Sequence, residues 1–232
     1  RRFGKSLLID TLAELFACNQ ALFHGLHCHD RWDWSVRHPV IRISFGGGVL
    51  TDRAALDERI GELLASNEER LGVATSASSS AGRFGALIRA VERHYGQRVV
   101  VLVDEYDKPI LDNLRRPAVA AQMRDGLRDL YSVIKDSDAH VKFAMLTGVS
   151  KFSKVSLFSG LNNLDDITLD ARYSAICGYT DADVDSVFAA ELFDLDRERI
   201  RDWYNGYNWT GEAVYNPFDL LLLFQKRDFR PY

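Results

Sequence analysis

Gly4, Lys5 and Ser6 stand directly before an apolar segment of helical spacing and have the properties that a phosphate-binding loop requires. At a helix start the backbone N–H groups are unpartnered and carry a partial positive charge, which attracts phosphate. Gly4 lets the backbone approach closely, the Lys5 ammonium can reach terminal phosphates, and the Ser6 hydroxyl can bind Mg²⁺. Together with Leu7, these residues predict a nucleotide site. They fit an ordinary helix start with a solvated lysine equally well.

Asp104 and Glu105 supply a second, independent signal. They follow Val99–Val103, an uninterrupted apolar run of strand length that is typical of a strand buried on both faces of a parallel sheet. Open α/β sheets bind ligands at the carboxyl ends of their strands. There Asp104 can hold Mg²⁺ through water, and Glu105 can orient and deprotonate an attacking water. Paired charges also end many ordinary strands, but two half-motifs in this order favour a nucleotide site.

A third polar segment follows the apolar run at residues 141–146. Thr147 or Ser150 can bond the attacking water or a phosphate, and Lys151 can neutralise charge that develops in the transition state. From the chemistry alone, a turn with a solvated lysine explains this segment equally well.

The elements that must position these residues alternate between helix and strand. Apolar residues recur at helical spacing in four segments, and three shorter apolar runs have the length of strands. The predicted helices cover residues 5–18, 54–70, 84–95 and 118–135, and the predicted strands cover 40–45, 99–103 and 141–146. This alternation predicts an α/β fold with three layers and a mostly parallel sheet. A serine-rich surface loop is expected over residues 75–82.

The pattern changes after Leu169. Thr180 and Asp183 resemble a capping box, Gly206 is expected to stop a helix, and Asn216 precedes a proline suited to a first helical turn. These signals predict helices over 181–193, 196–204 and 218–225. The sequence therefore predicts a core over residues 1–168 and a small, mostly helical lid subdomain over 169–232.

The composition excludes several classes of protein. The 232 residues include 29 Lys and Arg against 33 Asp and Glu, a formal charge of −4, so direct nucleic-acid contact is not expected. Three cysteines without a pairing pattern fit a reduced, cytoplasmic protein. The apolar runs are too short for a membrane-spanning helix. The tryptophans are predicted to pack within the fold rather than to stack on bases: Trp32, Trp34, Trp203 and Trp209.

Seven blocks of the sequence, spread over nearly the whole chain, resemble the bacterial AAA-ATPase-like family. Three of them contain the candidate site residues, and four follow in the last third of the chain. The blocks are residues 1–8, 103–110, 146–153, 157–164, 177–180, 203–207 and 215–218.

The resemblance implies a P-loop ATPase core followed by a helical lid, with ATP and Mg²⁺ as cofactors. It places Lys5 and Ser6 at phosphate-loop positions, and Asp104 and Glu105 at the positions of the magnesium and catalytic carboxylates. The family loop tends to read R-P-R-R-F-G-K-S without its first glycine, which makes the phosphate cradle atypical. The resemblance also implies an opening strand and the start of the loop before Arg1, and a nuclease-like domain of the PD-(D/E)XK type beyond Tyr232.

These observations together predict an ATP-binding, Mg²⁺-dependent nucleoside triphosphatase that acts as a conformational switch. Gly4, Lys5, Ser6 and Leu7 bind the nucleotide, and Ser6 and Asp104 hold the metal. One alternative is a regulatory or scaffold module that binds nucleotide without hydrolysing it. Another is a metal-dependent nuclease that uses Asp104, Glu105 and Asp107 as a carboxylate cluster. Assembly into a homo-oligomer remains open.

Overall fold

The computed structural model describes residues 2–149, 157 and 163–232. The chain forms two compact units. The larger one comprises residues 9–164, and the smaller one joins residues 1–8 to residues 165–232. Each unit is considered by itself. None of the helices in the described part of the chain is long and apolar enough to cross a membrane.

The larger unit is organised around a parallel sheet of three strands. Strands β1 (Val40–Ser44), β2 (Val99–Asp104) and β3 (Val141–Leu146) lie in the order β1-β2-β3. In register, Val103 of β2 pairs with Ile43 on one side and Leu146 on the other. Val99–Val103 are completely buried, which confirms the prediction of a central strand covered on both faces. The sequence thus identified both the strands and the parallel α/β class.

Helices pack on this sheet because successive β2 side chains point to opposite faces. Val99, Val101 and Val103 enter a core cluster with residues of α2 (Arg53–Leu71), α3 (Ser80–Tyr95) and α5 (Pro117–Asp136). Val100 and Leu102 enter a separate cluster with Ile9, Ala13 and Phe16. These three belong to α1 (Lys5–Phe16), and a short α4 (Lys108–Leu111) follows β2. Helix α3 begins at Ser80, so it takes up the end of the stretch expected to be a loop over 75–82.

The outer edge of β1 is closed by side chains of α2. The buried amide of Asn67 accepts a hydrogen bond from the Arg42 N–H (2.9 Å) and donates one to the Arg42 carbonyl (2.7 Å). One turn later Arg70 donates to the Val40 carbonyl (2.7 Å) and to Asn67 Oδ1 (2.7 Å). An open strand edge invites pairing with another chain. These contacts satisfy the Arg42 N–H and carbonyl and the Val40 carbonyl, and so hinder such pairing.

The smaller unit combines short helices with a hairpin. It contains α6 (Asp181–Val187), α7 (Arg197–Tyr204), the antiparallel strands β4 (Asn205–Asn208) and β5 (Ala213–Tyr215), and α8 (Pro217–Lys226). The capping box of Thr180 and Asp183 is present, and Asn216 caps α8 as predicted. The prediction of helix over 181–193 was wrong in its second half, because α6 ends at Val187. The sequence also failed to predict the hairpin, which is too short for its alternation to stand out.

An ion-pair network ties the helices of this unit together. Asp181 Oδ1 accepts from Arg197 Nη2 (2.6 Å) and the Tyr215 hydroxyl (2.6 Å), and Oδ2 accepts from Arg201 Nη2 (2.7 Å). Burial alone would raise the pKa of Asp181, but these three hydrogen bonds outweigh it and hold the pKa at about 2. The charged form of Asp181 therefore stabilises the fold.

Candidate functional site

Asp104 and Thr147 meet at the carboxyl edge of the sheet, where β2 and β3 end side by side. The Thr147 hydroxyl donates to Asp104 Oδ1 at 2.6 Å, and the Glu105 N–H donates to the same oxygen at 3.0 Å. Thr147 is only 6% exposed and is fixed by its own N–H, which bonds the Val103 carbonyl (2.9 Å). The Asp104 carboxylate is thus held in one orientation. Since the Thr147 proton is used in this bond, its lone pairs remain for a water.

Glu105 leaves the strand in an unusual backbone conformation. Its φ is +54°, in the left-handed region that residues with a Cβ rarely adopt. Such a conformation costs about 1–3 kcal/mol and persists only where the surrounding structure enforces it, and such residues cluster at functional sites. The turn brings the Glu105 carboxylate beside Gly46, just after β1: a Cβ on Gly46 would lie 3.4 Å from Glu105 Oε2. The two adjacent carboxylates therefore face different neighbouring strands.

The Asp107 side chain supports the site from inside the fold. Its side chain is completely buried, and Oδ2 accepts from the Val149 N–H at 2.9 Å. Gly148 lies directly against it, since a Cβ there would come within 2.7 Å of Asp107 Oδ1 and 2.6 Å of the Tyr106 ring. The Tyr106 N–H bonds the Thr147 carbonyl (2.9 Å). Together these contacts lock the segment after β2 to the segment after β3.

Two further residues, Lys108 and Asn113, brace the same edge. Lys108 Nζ donates to the Gly48 carbonyl at 2.7 Å, and the buried Asn113 amide donates to the Leu50 carbonyl at 2.8 Å. The loop after β1 is thereby tied to α4. Gly46 and Gly148 were not identified as site residues. Their only signal was a glycine just beyond a predicted strand, which commonly marks a close backbone approach.

The part of α1 inside the larger unit runs opposite to the strands. Its last residue, Phe16, accepts a backbone hydrogen bond from His38 (2.9 Å), just before β1, whereas Asp10 pairs with Arg42 farther along that strand (2.5 Å). Phe16 also stacks on Phe143 near the start of β3, with ring centroids 5.5 Å apart. From Phe16 back to Ile9, the helix therefore runs toward the carboxyl ends of the strands.

Gly4, Lys5, Ser6 and Leu7 fall in the smaller unit, where the preceding residues are anchored. Phe3 is 7% exposed, and its ring meets those of Tyr207 and Trp209 edge-on, with centroids 4.6 and 5.9 Å away. Gly4 has a φ of +84°, and its carbonyl accepts the Leu8 N–H (2.9 Å), so α1 begins at once. Ser6 and Leu7 are exposed. The Lys5 charge lies close enough to Cys177 to oppose the rise in thiol pKa that burial causes.

The structure thus brings together Asp104, Glu105 and Thr147 within the larger unit. Ser150 and Lys151 lie outside the described residues, so their predicted roles stay predictions. The roles of Gly4, Lys5, Ser6 and Leu7 stay predictions as well.

The oxygen atoms at this edge suit a magnesium ion that relies on substrate phosphates. Mg²⁺ in nucleotide sites keeps several waters and takes one or two carboxylates from the protein. Asp104 Oδ1 is occupied by its two donors, and no donor among the described residues reaches Oδ2. Within residues 2–149, 157 and 163–232, no three His, Cys, Asp or Glu side chains gather into a metal site. Among the described residues, Asp104 can therefore supply one carboxylate to an ion of this kind.

Comparison with known proteins gives a family match and one uncharacterised relative. The model of the AAA-ATPase-like family, described as a predicted AAA-ATPase, matches residues 1–158. A curated protein of Azotobacter chroococcum mcd 1, named "Uncharacterized protein in vnfD 5'region", is 73% identical over 232 residues, which is 100% of this chain and 45% of that protein. The chain therefore spans less than half the length of that relative. No solved structure gave a significant match.

Proposed function

Because this chain belongs to the AAA-ATPase-like family of predicted ATPases, we propose that it binds ATP with Mg²⁺ and hydrolyses the terminal phosphoanhydride. The observation that carries the proposal is the arrangement of Asp104, Glu105 and Thr147 at the carboxyl edge of a parallel sheet. This edge is where open α/β sheets place their ligands. Of the alternatives, hydrolysis makes the fullest use of two carboxylates with different surroundings.

The phosphate-binding role in this proposal belongs to the start of α1. Gly4, Lys5, Ser6 and Leu7 offer N–H groups at a helix start, an ammonium and a hydroxyl. Within the larger unit, Ile9–Phe16 runs toward the strand ends that carry Asp104. The phosphates would bind at the helix start.

Asp104 and Glu105 take separate roles in the proposed reaction. Asp104, oriented by Thr147, binds the ion through Oδ2 or through a water on it. When bound, Mg²⁺ neutralises charge on the phosphate oxygens. Glu105, held beside Gly46, orients the attacking water and accepts its proton. Phosphoryl transfer of this kind relies on positioning and charge stabilisation and needs no covalent intermediate.

The same proposal includes a fold-level assignment. Helices on both faces of β2 support a three-layer P-loop core, and the hairpin and helices of the smaller unit support a lid. In this scheme the nucleotide drives a conformational switch. A nuclease-like domain after Tyr232, homo-oligomerisation and a cytoplasmic location remain predictions.

The test is ATP binding and phosphate release by the full-length wild-type protein and two variants. Lys5→Ala should lose most of its ATP affinity, and Glu105→Gln should still bind ATP but release phosphate at least about a hundredfold more slowly, in line with the usual contribution of a general base. Lys142→Ala, which removes an exposed lysine at the start of β3, is the matched control and should change neither. If Lys5→Ala binds ATP as well as wild type, the proposed site is wrong.

A binding-only function is the second candidate, and one observation favours it. The residue directly before Gly4 is Phe3, a bulky side chain packed against Tyr207. An atypical cradle of this kind can hold a nucleotide without turning it over. Phosphate release by wild type that is no faster than by Glu105→Gln, together with normal ATP binding, would establish this alternative. The nuclease alternative gains no support, since Asp107 is buried and bonded to Val149.

A further inference from the structure

An aromatic contact in the smaller unit lies two residues before the proposed phosphate-binding lysine. The Phe3 ring meets Tyr207 at 74° with centroids 4.6 Å apart, and Trp209 at 83° with centroids 5.9 Å apart. Both partners belong to the hairpin of β4 and β5, Tyr207 within β4 and Trp209 just after it. We call these three side chains the aromatic clamp. Beside it, the Arg2 guanidinium lies 4.1 Å from the centre of the Phe218 ring.

The aromatic clamp is separate from the core of this unit. That core is built from residues of α6, α7, β5 and α8, including Val184, Ile200, Tyr215 and Leu220. Tyr207 is 41% exposed, although it is a large aromatic residue. Its ring contacts Phe3, so a change at Tyr207 can shift the position of Phe3.

The hairpin is well suited to hold Phe3 because its turn is rigid. The Thr210 N–H bonds Asn208 Oδ1 (2.8 Å), and Asn208 Nδ2 bonds the Gly211 carbonyl (2.9 Å). The Thr210 hydroxyl also bonds the Leu169 carbonyl (2.8 Å). The residues on both sides of Trp209 are therefore held by hydrogen bonds, and the Trp209 ring packs against Phe3.

Phe3 lies directly before the turn that opens α1. Gly4 turns the chain with a φ of +84°, and the helix begins at Lys5. Backbone donors stabilise a phosphate only when they are held in the correct orientation in advance. In this chain Phe3, the residue before the loop glycine, is held by its contacts with Tyr207 and Trp209.

We propose that the β4–β5 hairpin positions the nucleotide-binding start of α1 through the aromatic clamp. Packing of the hairpin against Phe3 and binding of the nucleotide are then coupled. The inference rests on the proposed function, and it adds a contact through which bound nucleotide affects the hairpin. Coupling of this kind is reciprocal: if the hairpin strengthens nucleotide binding, the nucleotide must stabilise the hairpin by the same factor. Tyr207 and Trp209 are positioning residues and not catalytic ones.

The test compares variants of the aromatic clamp with a matched control in the full-length protein. Tyr207→Leu and Trp209→Leu should weaken ATP binding about five- to tenfold, the effect expected for losing one edge-on aromatic pair and the order it imposes. Tyr207→Phe keeps the ring and should bind ATP like wild type. The control is Trp203→Leu, another half-exposed aromatic of this unit, which contacts Tyr204 and Phe229 and should leave ATP affinity unchanged.

Hydrogen exchange separates positioning from general destabilisation. Without nucleotide, Tyr207→Leu should speed amide exchange over residues 5–9 while leaving that of α7 unchanged. With ATP, the hairpin amides of residues 205–215 should exchange more slowly in wild type but not in Lys5→Ala. Equal ATP affinity in wild type, Tyr207→Leu and Trp209→Leu would overturn the inference and leave the proposed function intact.

The two proposals fail in different ways. If wild type binds no ATP, the proposed function fails and the coupling fails with it. In that case the exchange of residues 5–9 still shows whether the clamp holds the start of α1. If Trp203→Leu weakens ATP binding as much as Tyr207→Leu does, the effect is general loss of stability, and the inference is overturned.

Discussion

Replacing Thr147 by Val tests how the Asp104 carboxylate is held. The substitution removes the hydroxyl that donates to Asp104 Oδ1 at 2.6 Å and keeps the branched shape of a side chain that is 6% exposed. No cavity forms, so the loss is mainly that of the hydrogen bond. A hydrogen bond to a charged group contributes about 1.5–3 kcal/mol. Because Asp104 is half-buried and water can replace part of the bond, we expect the low end, about 1.5 kcal/mol.

The same loss should appear in nucleotide binding. A carboxylate freed from Thr147 must be reordered each time it binds the ion, and about 1.4 kcal/mol corresponds to a tenfold change in affinity. We therefore expect Mg²⁺-dependent ATP affinity to fall about tenfold in Thr147→Val. The assays are equilibrium unfolding in urea and titration with ATP at fixed Mg²⁺.

Thr147→Ser is the matched control because it keeps the hydroxyl and removes only a buried methyl group. It should lose about 1 kcal/mol of unfolding free energy yet bind ATP within about twofold of wild type. The reasoning is refuted if Thr147→Val unfolds with a free energy within about 0.5 kcal/mol of wild type. It is refuted equally if the serine variant loses as much ATP affinity as the valine variant.

Three further predictions concern stability. Asp181 has a pKa of about 2 against 3.8 for the free side chain, so its contribution is complete above about pH 4 and is lost as the pH falls toward 2. That loss is at most about 2 kcal/mol given its partial exposure, and about half of it occurs by pH 3. The fall in urea unfolding free energy from pH 6 to pH 3 should therefore be about 1 kcal/mol larger in wild type than in Asp181→Asn. Gly148→Ala should cost about 2 kcal/mol through the forced clash of its new methyl group. Gly47→Ala, whose methyl would meet nothing closer than 3.6 Å, should cost less than about 0.5 kcal/mol, and equal unfolding midpoints for the two glycine variants would contradict the clash. Asn67→Ala should cost about 3 kcal/mol because it strips the Arg42 N–H and carbonyl of their partners; an unchanged urea midpoint would show that water replaces the amide.

Much of the fold could be predicted from local pattern. The run at residues 99–103 predicted the central strand, since a strand covered on both faces carries apolar residues in succession. Caps such as Thr180 and Asn216 identified helix starts, because capping depends on residues only a few positions apart. The hairpin could not be predicted, because its strands of four and three residues are too short for their alternation to stand out.

The candidate site, like the fold, could be predicted from the sequence only in part. The sequence alone predicted the residues of the candidate site: Asp104 and Glu105 after a buried strand, and Gly4, Lys5 and Ser6 at a helix start. Only the tertiary structure decided that Thr147 bonds Asp104, that Glu105 turns toward Gly46, and that Phe3 packs against Tyr207. The physical reason is the separation along the sequence between the residues that interact. Composition and periodicity report what a residue can do and which element it belongs to, whereas an orientation is fixed by partners that the folded chain brings from far away in the sequence.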